Sequence, residues 1–138
     1  VIGSSPAIDG SDDEKHFEAK EPPKLKAGEI VRQALTLSDM HGALFINSEG
    51  LVTESEWTLD IDSQSCGAIM SEIVVFLTQE MVDNSFGRVN TVLIENPELI
   101  FYLRKVANGI FLFVGDARIS LGNMRMKLSG LVDNYQPN

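Results

Sequence analysis

The sequence predicts an α+β fold, in which one five-stranded antiparallel sheet carries helices in the order α-β-β-α-β-β-β-α. Three segments repeat apolar residues at helical spacing. Between them lie short β-prone runs separated by turn sequences, "NSEG" in the first half and "ENPE" and "RKVANG" in the second. With 138 residues, 43% of them hydrophobic, the chain has enough apolar content for one compact domain.

Residues 1–26 are predicted to form a flexible acidic arm, and residues 27–138 the folded domain. The arm contains "SDDEK" and "EPPK" and almost no large apolar side chains. It therefore cannot bury enough surface to offset the entropy lost on ordering. Pro22 and Pro23 disfavour a helix before about Gly28. A short helix docked through Phe17 is the alternative.

The first helix and the following hairpin are predicted from spacing and turn chemistry. From Glu29 onward, apolar residues recur on one helical face, and the helix is expected to end near His41 and Gly42. Residues 43–46 are apolar and β-prone, "NSEG" supplies the turn, and residues 51–53 resume the strand. The segment "EWTLDIDSQS" is then interpreted as a loop containing Trp57, with Asp62 or Ser63 capping the next helix.

The second helix, over residues 64–82, has an unusually wide apolar arc. Its side chains form two rows: Ala68, Ile69, Ile73, Phe76 and Glu80 in one, and Met70, Val74, Leu77 and Met81 in the other. A helix that packs on one sheet needs only about a third of its circumference to be apolar. Either the helix is deeply buried within one subunit, or the excess apolar surface contacts a second subunit.

Three strands and a last helix are predicted in the second half of the chain. The strands cover residues 89–94, 99–103 and 110–114, and Asn108-Gly109 is suited to the positive φ of a tight hairpin. Gly115 is expected to end the third of these strands, and helical spacing resumes from Ile119. Gly115 and Gly122 would let the chain turn sharply and return the last helix to the sheet.

Charge and cysteine content exclude several classes of function. The net charge of −9 argues against nucleic-acid binding, which depends on Lys and Arg. Twelve acids lie in residues 29–98 against two bases, which indicates either a solvated surface or an acidic face that steers a basic partner. A single cysteine excludes an internal disulfide. No apolar run reaches about 18 residues, so a cytoplasmic protein without membrane insertion is expected.

Catalytic and metal-binding patterns are weak, and no catalytic residue, cofactor or metal site is predicted. Cys66 and His41 form the one nucleophile–base pair outside the arm, but Cys66 is interpreted as a structural residue at a helix start and His41 as a helix C-terminal residue. The pairs Glu54/Glu56 and Asp60/Asp62 could ligate Ca²⁺ or Mg²⁺ but lack calcium-loop spacing, so solvated acids are preferred. The junction "GDARISLG" lacks the phosphate-binding motifs "GxxxxGK[ST]" and "GxGxxG".

The segments "HGALFINSEGLVTES" and "GIFLFVGDARISLGNMRMKL", with the hairpin between them, resemble the roadblock family, named after a dynein light chain. Members typically follow an apolar strand with an Asp-containing loop and an "LG" step into a C-terminal helix bearing Arg and Leu. Here those positions are Asp116, Leu121-Gly122, Arg125 and Leu128. The resemblance covers about residues 27–138 and implies a roadblock/profilin-like sandwich. Trp57 and Arg118-Ile119 depart from the family pattern.

The resemblance implies a non-catalytic dimer that regulates or scaffolds a small Ras-like GTPase or a motor-associated complex. Its partners would be a second copy or a roadblock paralogue, and the GTPase. The family pairs its third strands and second helices, which implicates Ile69, Ile73, Phe76, Val89, Val92 and Ile94 in the dimer interface. Partner-binding candidates are Trp57, Glu72, Gln79 and Glu80, although Trp57 could equally anchor the sheet edge.

Two alternative functions are weighed against the dimeric module. The first is a monomeric profilin-like or GAF-like sensor, which would enclose a small molecule in an apolar pocket with a few polar groups. The second is a hydrolase that uses Cys66 as its nucleophile.

Overall fold

The computed structural model describes residues 24–137. Most of the predicted arm, residues 1–23, lies outside the described residues. The helices are α1 (Ala27–Ala34), α2 (Ser63–Asp83) and α3 (Leu121–Asp133), and the strands are β1 (Met40–Asn47), β2 (Val52–Trp57), β3 (Thr91–Glu95), β4 (Leu99–Val106) and β5 (Gly109–Asp116). The predicted element order and the α+β class are confirmed.

The five strands form one antiparallel sheet in the order β2-β1-β5-β4-β3. The central strand is β5, whose residues 110–115 are all buried. This agrees with its nearly continuous apolar sequence, because a central strand covered on both faces needs apolar side chains on both. The sheet ends in β2 on one side and β3 on the other, so each of these strands is paired along one edge only.

Helices cover both faces of the sheet. One face packs against α1 and α3, with a core that includes Ile30, Phe113 and Leu128. The other face carries α2, whose Val74 packs with Leu44 and other sheet residues. The chain termini of the described part meet beside the first face, where Leu25 N donates to Asn134 O at 2.8 Å and Gln136 N donates to Leu25 O at 2.8 Å.

Two predicted boundaries in the first half are wrong. The first helix ends at Ala34, and the chain turns through Asp39 at φ 66°, a conformation that no helix continues. His41 and Gly42 consequently lie in β1 and not at a helix end. The strand β2 runs on to Trp57, which pairs with Gly42, so Trp57 is a strand residue and not a loop residue.

The glycine predictions in the second half also need correction. Positive φ values in the described part occur at Asp39, Gly50, Ser85 and Gly87, so the Asn108-Gly109 turn has none. Val106 pairs with Gly109, which makes Ala107 and Asn108 the two turn residues. β5 continues past Gly115 to Asp116. A Cβ at Gly122 would meet no atom within 4 Å, so that position does not require glycine.

Candidate interaction surface

One narrow side of α2 faces the sheet. Its buried residues are Gly67, Ser71 and Val74. A Cβ built on Gly67 would lie 2.5 Å from Val52 Cγ2, so the missing side chain lets the helix backbone approach the sheet closely. Because small residues make the central contacts, most of the large apolar side chains of α2 point elsewhere.

The start of α2 is fixed by the predicted Asp62 cap. Asp62 Oδ2 accepts hydrogen bonds from Ser65 Oγ at 2.7 Å and from Ser65 N at 2.9 Å. These bonds favour the ionised carboxylate and lower the pKa of Asp62. The cap also satisfies a backbone donor that would otherwise lack a partner in the first turn.

The outward side of α2 exposes large apolar residues. We define the α2 crest as Ile69, Ile73 and Phe76. Ile69 is 55% exposed and Phe76 is 63% exposed, and Ile73 is half-buried. The predicted wide apolar arc is thus largely uncovered within a single chain, and the deep burial that the sequence left open as an alternative is not observed. By length and composition alone, α2 is long and apolar enough to cross a membrane, a criterion that core helices of soluble proteins also meet.

The α2 crest lies on the same face as the apolar side chains of the β3 edge. Val92 pairs with Leu103 and Ile94 with Phe101, and all four pack in the apolar cluster that also contains Val74 of α2. An open groove of about 290 Å³ runs between α2 and β4, where Ile69 and Phe101 line it together. The fold therefore places most of the predicted dimer residues on one side of the molecule. Val89 precedes β3, which begins at Thr91.

The predicted partner-binding residues fall into two environments. Glu72, Gln79 and Glu80 are exposed on α2, and Gln79 Nε2 lies 3.2 Å from both carboxylate oxygens of Asp83. Trp57, by contrast, is half-buried at the end of β2, and its Nε1 donates to Ile61 O at 2.8 Å. These contacts give Trp57 the anchoring position that the sequence raised as one of two interpretations, and its contact with a partner stays a prediction.

Cys66 and His41 lie on different elements, and the surroundings of Cys66 do not activate its thiol. Cys66 is half-buried in the first turns of α2, and burial raises the pKa of its thiol, whereas the sequence allowed a lowered pKa at a helix start. His41 lies in β1 with its Nε2 3.8 Å from Asp116 Oδ2. The described geometry thus pairs His41 with a carboxylate on the neighbouring strand.

The junction between β5 and α3 is held together by Asp116 and Arg118. Asp116 Oδ1 accepts from Arg118 N and Nε, both at 2.9 Å, and Asp116 Oδ2 accepts from Arg118 Nη2 at 2.9 Å. These bonds hold the pKa of Asp116 well below its usual range. Because the Arg118 guanidinium is hydrogen-bonded to Asp116, the arrangement favours a structural role for the junction. Within residues 24–137, no three His, Cys, Asp or Glu side chains form a metal-binding group.

Sequence patterns missed the small residues that position α2 and Trp57. Gly67 and Ser71 face the sheet, yet hydrophobic periodicity gives no weight to Gly or Ser. Gly42 lies under the indole ring of Trp57. A glycine inside a strand or a helix itself indicates close backbone approach, and the sequence has such a glycine at Gly42 and at Gly67.

The described part is an α+β domain with helices on both sheet faces, an exposed apolar helix crest, and unpaired outer edges on β2 and β3. Residues 26–116 match the Roadblock/LC7 domain family, and the chain belongs to that family. No curated protein gives a significant sequence match.

Solved structures with the same fold come from several bacteria. MglB of Myxococcus xanthus aligns with a TM-score of 0.72 and 15% identity, over 78% of this chain and 89% of its own. A Roadblock/LC7 domain from Streptomyces avermitilis aligns with a TM-score of 0.68 and 15% identity, over 80% of this chain and 92% of its own. The gliding protein MglB of Thermus thermophilus aligns with a TM-score of 0.64 and 14% identity, over 83% of this chain and 97% of its own. At these identities the likeness establishes the fold.

Proposed function

We propose that this chain is a non-catalytic dimeric module that regulates or scaffolds a small Ras-like GTPase or a motor-associated complex in the cytoplasm. The single observation that carries the proposal is the exposed α2 crest, which lies on the same face as the apolar side chains of β3, a strand paired along one edge only. Ile69 and Phe76 are more than half exposed on a helix that the rest of the domain holds in place. Large exposed apolar patches on soluble domains mark interaction sites.

The proposed dimer joins two copies through β3 and places their α2 helices side by side, as the roadblock resemblance implies. Pairing at β3 would satisfy the backbone groups that this strand leaves unpaired along its outer edge. The same approach would cover the α2 crest, because Ile69 lines a groove with Phe101 of β4, and Phe101 pairs with Ile94 of β3. One contact would therefore remove both an apolar surface and an open sheet edge from water.

The proposed GTPase contact uses the exposed polar residues of α2. Glu72, Gln79 and Glu80 lie outside the core and point away from the sheet, with Trp57 as a further candidate. A module without a catalytic group of its own would act by changing the position of the mobile loops of the GTPase.

Affinity capture from native lysate tests this function. The purified chain is immobilised, and lysate is supplied with GDP, with a non-hydrolysable GTP analogue or after nucleotide removal. We expect a small GTPase to be recovered in a nucleotide-dependent manner, and recovery to fall for Glu72→Lys. Recovery of no GTPase under any of the three conditions would contradict the proposed partner.

A further inference from the structure

A second groove lies on the flank of α2 that faces the β1–β2 turn, and it has a volume of about 600 Å³. We call it the outer groove. Val75 lines the outer groove and Ile69 lines the groove toward β4. The two residues are six positions apart, which places them about 120° apart around the helix. Phe76 belongs to the α2 crest and also lines the outer groove. The rest of the outer groove is separate from the surface assigned to dimer formation.

The β1–β2 turn forms a fixed wall of this groove. Asn47 Oδ1 accepts hydrogen bonds from Glu49 N at 2.9 Å and from Leu51 N at 3.0 Å. Gly50 has φ 84°, and a Cβ built there would lie 3.7 Å from Ser71 Oγ, so the turn lies close beside the helix. These bonds hold Glu49 beside the groove without involving its carboxylate.

The lining of the outer groove combines apolar surface with negative charge. Val75 is 62% exposed and Phe76 is 63% exposed. The carboxylates of Glu49 and Glu72 border them. Among the described residues that line the groove there is no Lys or Arg to neutralise these acids.

We propose that the outer groove binds a segment of a partner protein that presents large apolar side chains flanked by Lys or Arg. Apolar side chains would cover Val75, and the basic residues would pair with Glu49 and Glu72. A second copy fits less well, since a symmetric contact would bring the same carboxylates together. This assignment rests on the proposed function, in that the chain acts by binding another protein, and it adds which flank of α2 that partner contacts.

The test uses a short fluorescent peptide in which Leu and Phe are flanked by Lys and Arg. A matched peptide carries Glu in place of each basic residue. We expect the basic peptide to bind in an anisotropy titration and the acidic peptide not to bind. Amide shifts in ¹⁵N-labelled protein should centre on Gly50, Glu72 and Val75.

Two sets of variants locate the binding site. Glu49→Lys combined with Glu72→Lys should weaken the basic peptide by about tenfold, because each rim charge changes from attraction to repulsion. Glu98→Lys, which makes the same kind of change at an exposed turn, should leave binding unchanged. Val75→Ser should also weaken binding, whereas Met126→Ser on exposed α3 should not.

Several outcomes would overturn the assignment. These are equal binding of the acidic peptide, equal weakening by Glu98→Lys, amide shifts centred on Ile69 and Phe101, or a change of oligomeric mass in Val75→Ser. The last result would make the groove a contact between copies of this chain. If GTPase capture fails while the peptide binds here, the GTPase partner is wrong and the groove assignment stands. If capture succeeds without peptide binding, the groove assignment alone is rejected.

Discussion

The indole ring of Trp57 occupies the space where a side chain at Gly42 would stand. The two residues face each other in the β1–β2 pairing. A Cβ built on Gly42 would lie 2.5 Å from Cε3 of Trp57. With its Nε1 bonded to Ile61 O, the ring joins β2 to the chain that leads into α2.

Gly42→Ala should destabilise the domain and release the indole. The added methyl group overlaps the ring, and overpacking of this kind costs about 1–3 kcal/mol in free energy of unfolding. Urea unfolding followed by circular dichroism measures that loss. Because Trp57 is the chain's only tryptophan, a red shift of native fluorescence reports its exposure directly. Unchanged stability together with unchanged fluorescence would contradict the packing described here.

The sequence predicted the element order because the helices and strands have clear periods. It misplaced boundaries that tertiary contacts decide. The first helix ends at Ala34, after which the chain turns through Asp39 at a positive φ into β1, and β2 is longer because Trp57 packs onto Gly42 of the neighbouring strand. Hydrophobic spacing predicts neither the turn at Asp39 nor the packing of Trp57 on Gly42.

Hydrophobic periodicity predicted that α2 has excess apolar surface, whereas the roadblock resemblance, and not periodicity, pointed to Ile69, Ile73 and Phe76. The wide apolar arc of α2 indicated an excess of apolar surface, yet periodicity could not show which side of the helix the sheet would take. The sheet packs against the side of α2 that carries Gly67 and Ser71, whose small size lets the helix backbone approach the sheet closely. Ile69 and Phe76 are left exposed as a result.

Gly67→Ala and Gly130→Ala should change stability in opposite directions. Both replace a helical glycine, which removes the same backbone freedom and by itself stabilises by about 0.5–1 kcal/mol. At Gly130 a Cβ would meet no atom within 4 Å, so a gain is expected. At Gly67 it would meet Val52, so a net loss of about 1–2 kcal/mol is expected. Paired urea unfolding curves measure both, and a gain at both sites would contradict the close contact.

Cys66 should react slowly with a thiol reagent at neutral pH. Burial raises the pKa of its thiol, so less thiolate is present, and the half-buried sulfur is also less accessible. The rate of reaction with Ellman's reagent, compared between native and urea-unfolded protein, measures this protection. Cys66→Ala should remain folded and retain GTPase capture. A native rate equal to the unfolded rate would contradict the burial.

Asp116 should make the domain less stable in acid. Its folded-state pKa lies below the ordinary value of about 3.9, because Arg118 donates to the ionised carboxylate. Between those two pKa values the unfolded chain binds more protons, so the contribution of Asp116 to stability is complete above about pH 4 and falls as pH falls below it.

The difference in stability between the wild-type protein and Asp116→Asn should therefore shrink below about pH 4. Urea unfolding at several pH values between about 2 and 7 measures the difference. Arg118→Met serves as a second variant, since it removes the two side-chain donors and leaves the carboxylate and the backbone donor at position 118 in place. It should also flatten the acid dependence relative to wild type. A constant difference across the whole pH range would contradict the linkage.

Ile69→Ser and Phe76→Ser should reduce the oligomeric mass of the protein. In an isolated subunit both side chains are already more than half exposed, so their replacement by serine changes the stability of that subunit little. In the proposed dimer the same residues lie between two α2 helices, and their loss removes buried apolar area from the interface. Light scattering after size-exclusion chromatography, at tens of micromolar protein, distinguishes the two situations.

Met126→Ser is the matched control for this experiment. Met126 is 68% exposed, which is comparable with Phe76, but it lies on α3 on the opposite face of the sheet. Its replacement should leave a dimeric mass unchanged, since the proposed interface is confined to α2 and the β3 edge. If the wild-type protein is monomeric at these concentrations, or if Met126→Ser dissociates it as readily as Phe76→Ser, the α2 crest does not hold two copies together.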